Sequence, residues 1–166
     1  NAPISQKPLL FNNLKGKRME NIAAVGGPYF NTGHQGRGSA AGDIDRDGDV
    51  DLVISRMNEP VALLSNTTQV PNHWISFKLV GRTSPRYPIG AIVRIKTPQG
   101  ERVRQIKGGT SYGSTVDPHL FFGIGESTTV ESATITWPSG ETQLLAQLNG
   151  DQSWVVREGL EPQPER

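Results

Sequence analysis

An all-β fold is what this chain of 166 residues predicts, on three observations. No stretch sustains a 3.6-residue apolar period. Short apolar runs are broken throughout by Gly, Pro, Asn and Asp, and the 19 glycines and 12 prolines mark it as rich in turns. Several runs alternate apolar and polar residues at the period of two that a half-buried strand requires. The length allows one compact domain or two small, closely packed ones.

Taken in order, strands are expected at Pro8–Asn12, Gly38–Asp43, Val50–Ser55, Val61–Ser65, His73–Val80, Ala91–Thr97 and Arg102–Lys107. Further ones follow at Leu120–Gly123, Ser132–Trp137, Thr142–Leu145 and Ser153–Arg157. Alternation places Ile75, Phe77 and Leu79 on one face and Trp74, Ser76 and Lys78 on the other. Ala133, Ile135 and Trp137 point together, toward a core. Pro98–Gly100 and Pro138–Gly140 read as tight turns between neighbouring strands. The polar stretch Asn66–Asn72 is the best internal boundary, which gives units at 1–70 and 71–158. The Pro- and Glu-rich segment 159–166 reads as a linker or tail, and the chain as part of a longer protein with neighbouring domains.

Cysteine is absent, so disulfides, thiolate zinc sites and thiol catalysis are excluded. The net charge of +1 conceals an asymmetry: five of the 16 acidic residues fall within positions 43–51. The positive excess elsewhere is diffuse and poor in interleaved aromatics, which argues against nucleic-acid binding. No window approaches the ~18 apolar residues of a membrane-spanning helix.

The acidic knot is Asp43-Ile44-Asp45-Arg46-Asp47-Gly48-Asp49-Val50-Asp51. Calcium is a hard cation that takes six to eight oxygens at roughly 2.3–2.6 Å. Carboxylates at loop positions 1, 3 and 5 turn inward when the backbone coils round an ion, and glycine at position 6 permits the sharp turn. The predicted metal residues are therefore Asp43, Asp45, Asp47, Asp49 through its backbone carbonyl, and Asp51. Position 12 is Ile54, where a helical EF-hand needs a bidentate Glu, so this is a loop entering a strand. Without a cation, carboxylates this closely spaced repel one another.

At this loop the chain resembles a known repeat. Gly36 to Asp43, the acidic loop and Leu52-Val53-Ile54 are similar to an FG-GAP/VCBS repeat, the calcium-bearing blade unit of β-propellers. Leu10-Phe11-Asn12-Asn13 and Pro60 to Asn66 resemble the strands that open such units. The remainder resembles the ASPIC/UnbV domain, through Asn72 to Ile75, Ile89-Gly90-Ala91, Gly108 to Tyr112, Asp117 to Gly125 and Ile135 to Gly140. The resemblance implies a propeller-blade repeat packed with an antiparallel β-domain, sandwich or barrel. It also implies a calcium site and an extracellular, cell-surface or periplasmic location. With one complete repeat the chain is not a whole propeller.

Other candidates carry little chemistry. His34, His73 and His119 fit no metal spacing. Ser114, Asp117 and His119 lie too close in sequence for a triad and lack a nucleophile elbow. Gly108-Gly109 lacks the Lys-Ser/Thr of a phosphate loop and is expected to supply positive φ angles instead. Trp74 and Tyr112 are candidate contact residues for a ligand, whereas Trp137 is expected in the core. No catalytic residue is assigned. The expectation is a non-enzymatic calcium-binding module presenting loops to a protein or glycan. The alternatives are a structural cap or spacer at the end of a propeller, and a hydrolase acting on glycan or sulfate.

Overall fold

The computed structural model describes residues 4–14 and 16–165, leaving Asn1–Pro3, Lys15 and Arg166 outside the described residues. The fold is all-β, as expected, with two short 3-10 turns at Ala23–Val25 and Pro28–Asn31. A small hairpin pairs β1 (Phe11–Asn13) with β2 (Met19–Asn21). A three-stranded antiparallel sheet follows, in which β4 (Asp51–Arg56) lies between β3 (Gly36–Gly42) and β5 (Ala62–Leu64).

The rest is built on two four-stranded sheets. One runs β15 (Gln163–Pro164), β14 (Gln152–Arg157), β6 (His73–Val80), β9 (Leu120–Gly125). The other runs β12 (Thr142–Leu145), β11 (Ser132–Thr136), β7 (Ile92–Thr97), β8 (Gly100–Gln105). A two-residue ladder, β10 (Thr129–Val130) with β13 (Leu148–Asn149), closes one end. The two sheets enclose one core, and neither closes into a barrel. One pairing departs from the antiparallel expectation: β6 and β14 are parallel, from Ile75 beside Gln152 to Val80 beside Arg157. The chain reaches β14 only after passing through the opposite sheet, so it returns in the same direction.

The alternation in the sequence sets this core. Ile75, Phe77 and Leu79 from β6 meet Val93, Ile95, Ala133 and Ile135 from the facing sheet, with Phe122, Val156 and Trp137 beside them, all buried. Phe77 and Phe122 pack edge to face, with ring centroids 5.9 Å apart. Both predicted turns form, with Gly100 and Gly140 at φ of 115° and 92°. Gly108 and Gly109 do not take positive φ. Gly108 instead lets the backbone pass close to Ile89, where an added Cβ would lie 3.3 Å from Cδ1.

The segment read as a tail folds back. Gln163 and Pro164 pair with Val155 and Trp154, and Glu165 receives Lys78 Nζ at 2.5 Å. A second tie is Glu158, buried at 5% exposure. Its Oε2 accepts the amides of Arg82, Thr83 and Ser84 at 2.7–2.8 Å, and its Oε1 accepts the hydroxyls of Ser84 and Ser139.

The three-stranded sheet is locked onto the sandwich along β3. Ser114 donates to the carbonyl of Ser39 at 3.0 Å, the amide of Ser39 donates to Ser111 Oγ, and the amide of Asp117 donates to the carbonyl of Ala41 at 3.0 Å. The small residues of Gly36–Gly42 are required for this approach. A Cβ on Gly38 would lie 2.4 Å from the carbonyl oxygen of Tyr112, and one on Gly42 would lie 3.0 Å from Asp117.

Candidate metal centre and the surface around it

The acidic loop leaves β3 at Gly42 and enters β4 at Asp51, so both ends are fixed by one antiparallel pair, Gly42 beside Asp51. Between them the chain turns tightly, with Arg46 and Gly48 at φ of 63° and 96°. Side chains hold the coil from inside. Asp43 Oδ2 accepts the amide of Gly48 at 3.0 Å, Asp45 Oδ1 that of Asp47, and Asp47 Oδ1 that of Asp49. Asp51 is buried, and its two oxygens accept the amides of Ile44 and Asn66 at 3.0 and 2.8 Å. Gly48 is doubly constrained, because a Cβ there would also lie 1.9 Å from Nε1 of Trp74 on β6.

Of the five predicted metal residues, the loop brings together carboxylate oxygens of Asp43, Asp45 and Asp51, all within 4.8 Å of one another. The carboxylate of Asp47 stays outside this group, engaged with the amide of Asp49. Asp49 was expected to contribute its backbone carbonyl, and its carboxylate does not join the three. Among the described residues, Asp43 Oδ1 is the one buried side-chain polar atom without a hydrogen-bond partner.

The electrostatics are those of a loop short of positive charge. Burial pushes the Asp43 carboxyl above its ordinary range, against the amides of Gly48, Arg46 and Asp47 that favour the anion. Asp49 is likewise raised, first by burial and then by Asp47, Asp51 and Asp45 around it. A hard divalent cation would relieve both and take up the orphaned oxygen. The donor set, all carboxylate and backbone oxygen, suits calcium and offers nothing to a soft metal.

The other predicted candidates are occupied structurally. His34 stacks on Tyr29 at 4.2 Å and bonds Glu59 and Thr32, while His73 bonds Asp151 at 2.7 Å. His119 bonds Asp117 through Nδ1 and Glu165 through Nε2 at 2.7 Å. Ser114 turns away to Ser39, so Ser114, Asp117 and His119 do not form a nucleophile–base arrangement. Tyr112 is open to solvent at 79% exposure, whereas Trp74 is half-buried against the acidic loop. Trp137 is in the core and donates to Gln143 Oε1.

Sequence reasoning did not single out a cleft of about 760 Å³ beside the loop. Ala41 and Val50 form one wall, Val116 to Phe121 a second, and Tyr87, Ile89 and Val103 to Gly108 a third. It lies at the seam between the edge strands β8 and β9, which no local sequence pattern marks.

The chain is 30% identical over 131 residues to cartilage acidic protein 1 of Xenopus tropicalis, covering 74% of this chain and 19% of that protein. The Mus musculus protein of the same name is 30% identical over 140 residues, covering 79% and 20%. The Homo sapiens one is 29% identical over 131 residues, covering 74% and 19%. The chain thus spans about a fifth of the length of the curated relatives it matches. The family described as "ASPIC and UnbV" matches residues 81–163, which hold β7 to β14, most of the core and the tie through Glu158. This chain belongs to the ASPIC and UnbV family.

Proposed function

We propose that this chain is a calcium-binding, non-catalytic module of an extracytoplasmic protein. In this reading an FG-GAP/VCBS-like repeat holds the ion, and the sandwich presents loops to a protein or glycan partner. The observation that carries it is the convergence of Asp43, Asp45 and Asp51 around a buried carboxylate oxygen that has no donor. Calcium would be held by those three carboxylates, with Asp47 and the carbonyl of Asp49 drawn in from the same loop. Its role is to rigidify the coil that seats against Trp74. Sites of this charge in extracellular modules bind with Kd of about 10⁻⁴ to 10⁻³ M, weak enough to be empty in a cytosol. The name of the relatives, which sets them in cartilage, favours the same compartment.

The test is calcium titration by calorimetry, with magnesium alongside. One calcium per chain is expected, abolished by Asp43→Asn and by Asp51→Asn, with magnesium weaker. Saturable binding unaffected by either substitution would overturn the assignment. A second reading, a cap at the end of a propeller, is favoured by Val61 and Leu63. Val61, just before β5, and Leu63, within it, are 61% and 58% exposed at the free edge of the three-stranded sheet. If Val61→Thr with Leu63→Thr loosens the link to neighbouring domains but leaves partner capture intact, both roles coexist in separate surfaces.

A further inference from the structure

We infer that the seam between β8 and β9 is a binding site for an extended acidic peptide, added as a fifth strand along β8. This deepens the binding-module reading and rests on it. β8 is an edge strand, paired only with β7, and all six of its residues are exposed. Among the described residues no backbone hydrogen bond joins its outer edge to another segment. An unpaired row of amides and carbonyls of this kind is a template for another strand.

The side chains select which strand. Arg102 and Arg104 stand opposite Ile95 and Val93, both fully buried, so these two arginines lie on the core-side face of β8. Arg104 spreads over the edge of the core, 5.8 Å from the ring centroid of Phe122. Among the described residues Arg102, Arg104 and Lys107 have no acidic partner, whereas Arg94 and Lys96 on β7 are matched by Glu101 and Glu131. Charges turned inward on an edge repel apolar or basic strands, including a second copy of β8. An acidic strand meets the unneutralised Arg102 and Arg104 there. Further along, Ile106 and the apolar walls Ile89, Val116 and Phe121 receive an apolar side chain. The far wall, Ala41 and Val50, adjoins the acidic loop, which keeps the acidic residues of the partner at the β8 end.

Because strand side chains alternate, the partner carries two acidic residues and one apolar residue at every second position, opposite Arg102, Arg104 and Ile106. The probes are short, capped, fluorescein-labelled peptides with Glu, Glu and Leu at alternate positions, in both sequence orders, with calcium present. Amide shifts in nuclear magnetic resonance spectra should cluster on Glu101–Gln105 for one order. N-methylation of the peptide amides that face β8 should abolish binding. Arg102→Glu should weaken the glutamate peptide on the order of tenfold and admit a lysine version of it. The inference is overturned if shifts map elsewhere, if N-methylation has no effect, or if N-acetyl-leucine or acetate competes as well as the peptide. Calcium titration on the same samples separates the two ideas. Peptide failure with one calcium bound removes this inference alone, and loss of calcium binding removes the module reading.

Discussion

Glu158 is the residue whose environment is most unlike that of an ordinary glutamate. Burial opposes its charge, yet hydroxyls of Ser139 and Ser84 and the amides of Ser84 and Arg82 hold its pKa down to about 2. Three successive amides aimed at one oxygen form a small anion nest. The group is depressed from an ordinary value of 4.5, so its stabilisation is fully present above that pH. It fades as the pH falls towards about 2, because the unfolded chain takes up the proton first. Glu158→Gln should therefore flatten the loss of stability across this acid window, from a lower starting value. Urea midpoints measured at steps from pH 5 to pH 2 check this; parallel curves for the two proteins would refute it. Gly48 gives a second test at this scale. Gly48→Ala places a Cβ at positive φ and against the Trp74 indole, which should cost more than about 1 kcal/mol. If denaturation midpoints show no loss, the loop does not seat on β6 as described.

Among the elements, β15 shows how a two-residue strand is kept in place. Two backbone pairings with β14 would be marginal alone. Glu165 adds Lys78 at 2.5 Å and His119 at 2.7 Å, and His119 in turn holds Asp117, whose amide reaches β3. His119 is raised above its usual pKa, first by the hydrogen bond to Asp117, against burial, and then by Glu165. A raised histidine gives stabilisation that is complete below its unfolded value of 6.5 and is lost as pH rises through the folded one. The other charged groups facing it are Asp117 and Glu165, both held below the usual carboxylate range, and Lys78, which bonds Glu165. Mild alkalinity should therefore loosen β15 before the core. Hydrogen exchange at the amide of Glu165, which donates to Ser153, should accelerate relative to that of Phe77. His119→Gln should remove the pH dependence, and unchanged protection from pH 6 to pH 9 would contradict this account.

At the scale of the whole molecule, what could be read from sequence was what is local. The alternation in β6 and β11 gave their faces, since the period of two reports burial directly. The convergence of Asp43, Asp45 and Asp51 was also legible, because the three carboxylates lie within nine residues of one chain segment. By contrast, β2, β10, β13 and β15 are two or three residues long and have no pattern to detect; distant pairing creates them. Ser84 lies 74 residues from Glu158 and Glu165 lies 46 from His119, and the parallel pairing of β6 with β14 spans about as far as the first. Nothing in a local window shows such partners.

The same long-range contacts decide how calcium should act on the molecule. The acidic loop touches β6 through Gly48 and Trp74, and β3 is bonded to the segment Ser111–Asp117, so the loop is not an independent flap. Ion binding to the folded state alone should then stabilise the three-stranded sheet and the sandwich together in one transition. At a calcium concentration ~100 times Kd the gain is about 2.7 kcal/mol, which for a chain of this size raises the melting temperature by about 5–10 °C. Asp45→Ala removes one of the three converging carboxylates and should abolish most of the rise, while leaving the apo protein close to its original stability because Asp45 is exposed. Melting curves with chelator, calcium and magnesium, followed by tryptophan fluorescence and by far-ultraviolet circular dichroism, make the comparison. Coincident transitions that calcium moves upward only in the wild type are expected. Two separate transitions, with calcium moving just one, would mean that the contacts along β3 and at Trp74 do not couple the halves. An equal rise in Asp45→Ala would mean that the stabilising ion sits elsewhere.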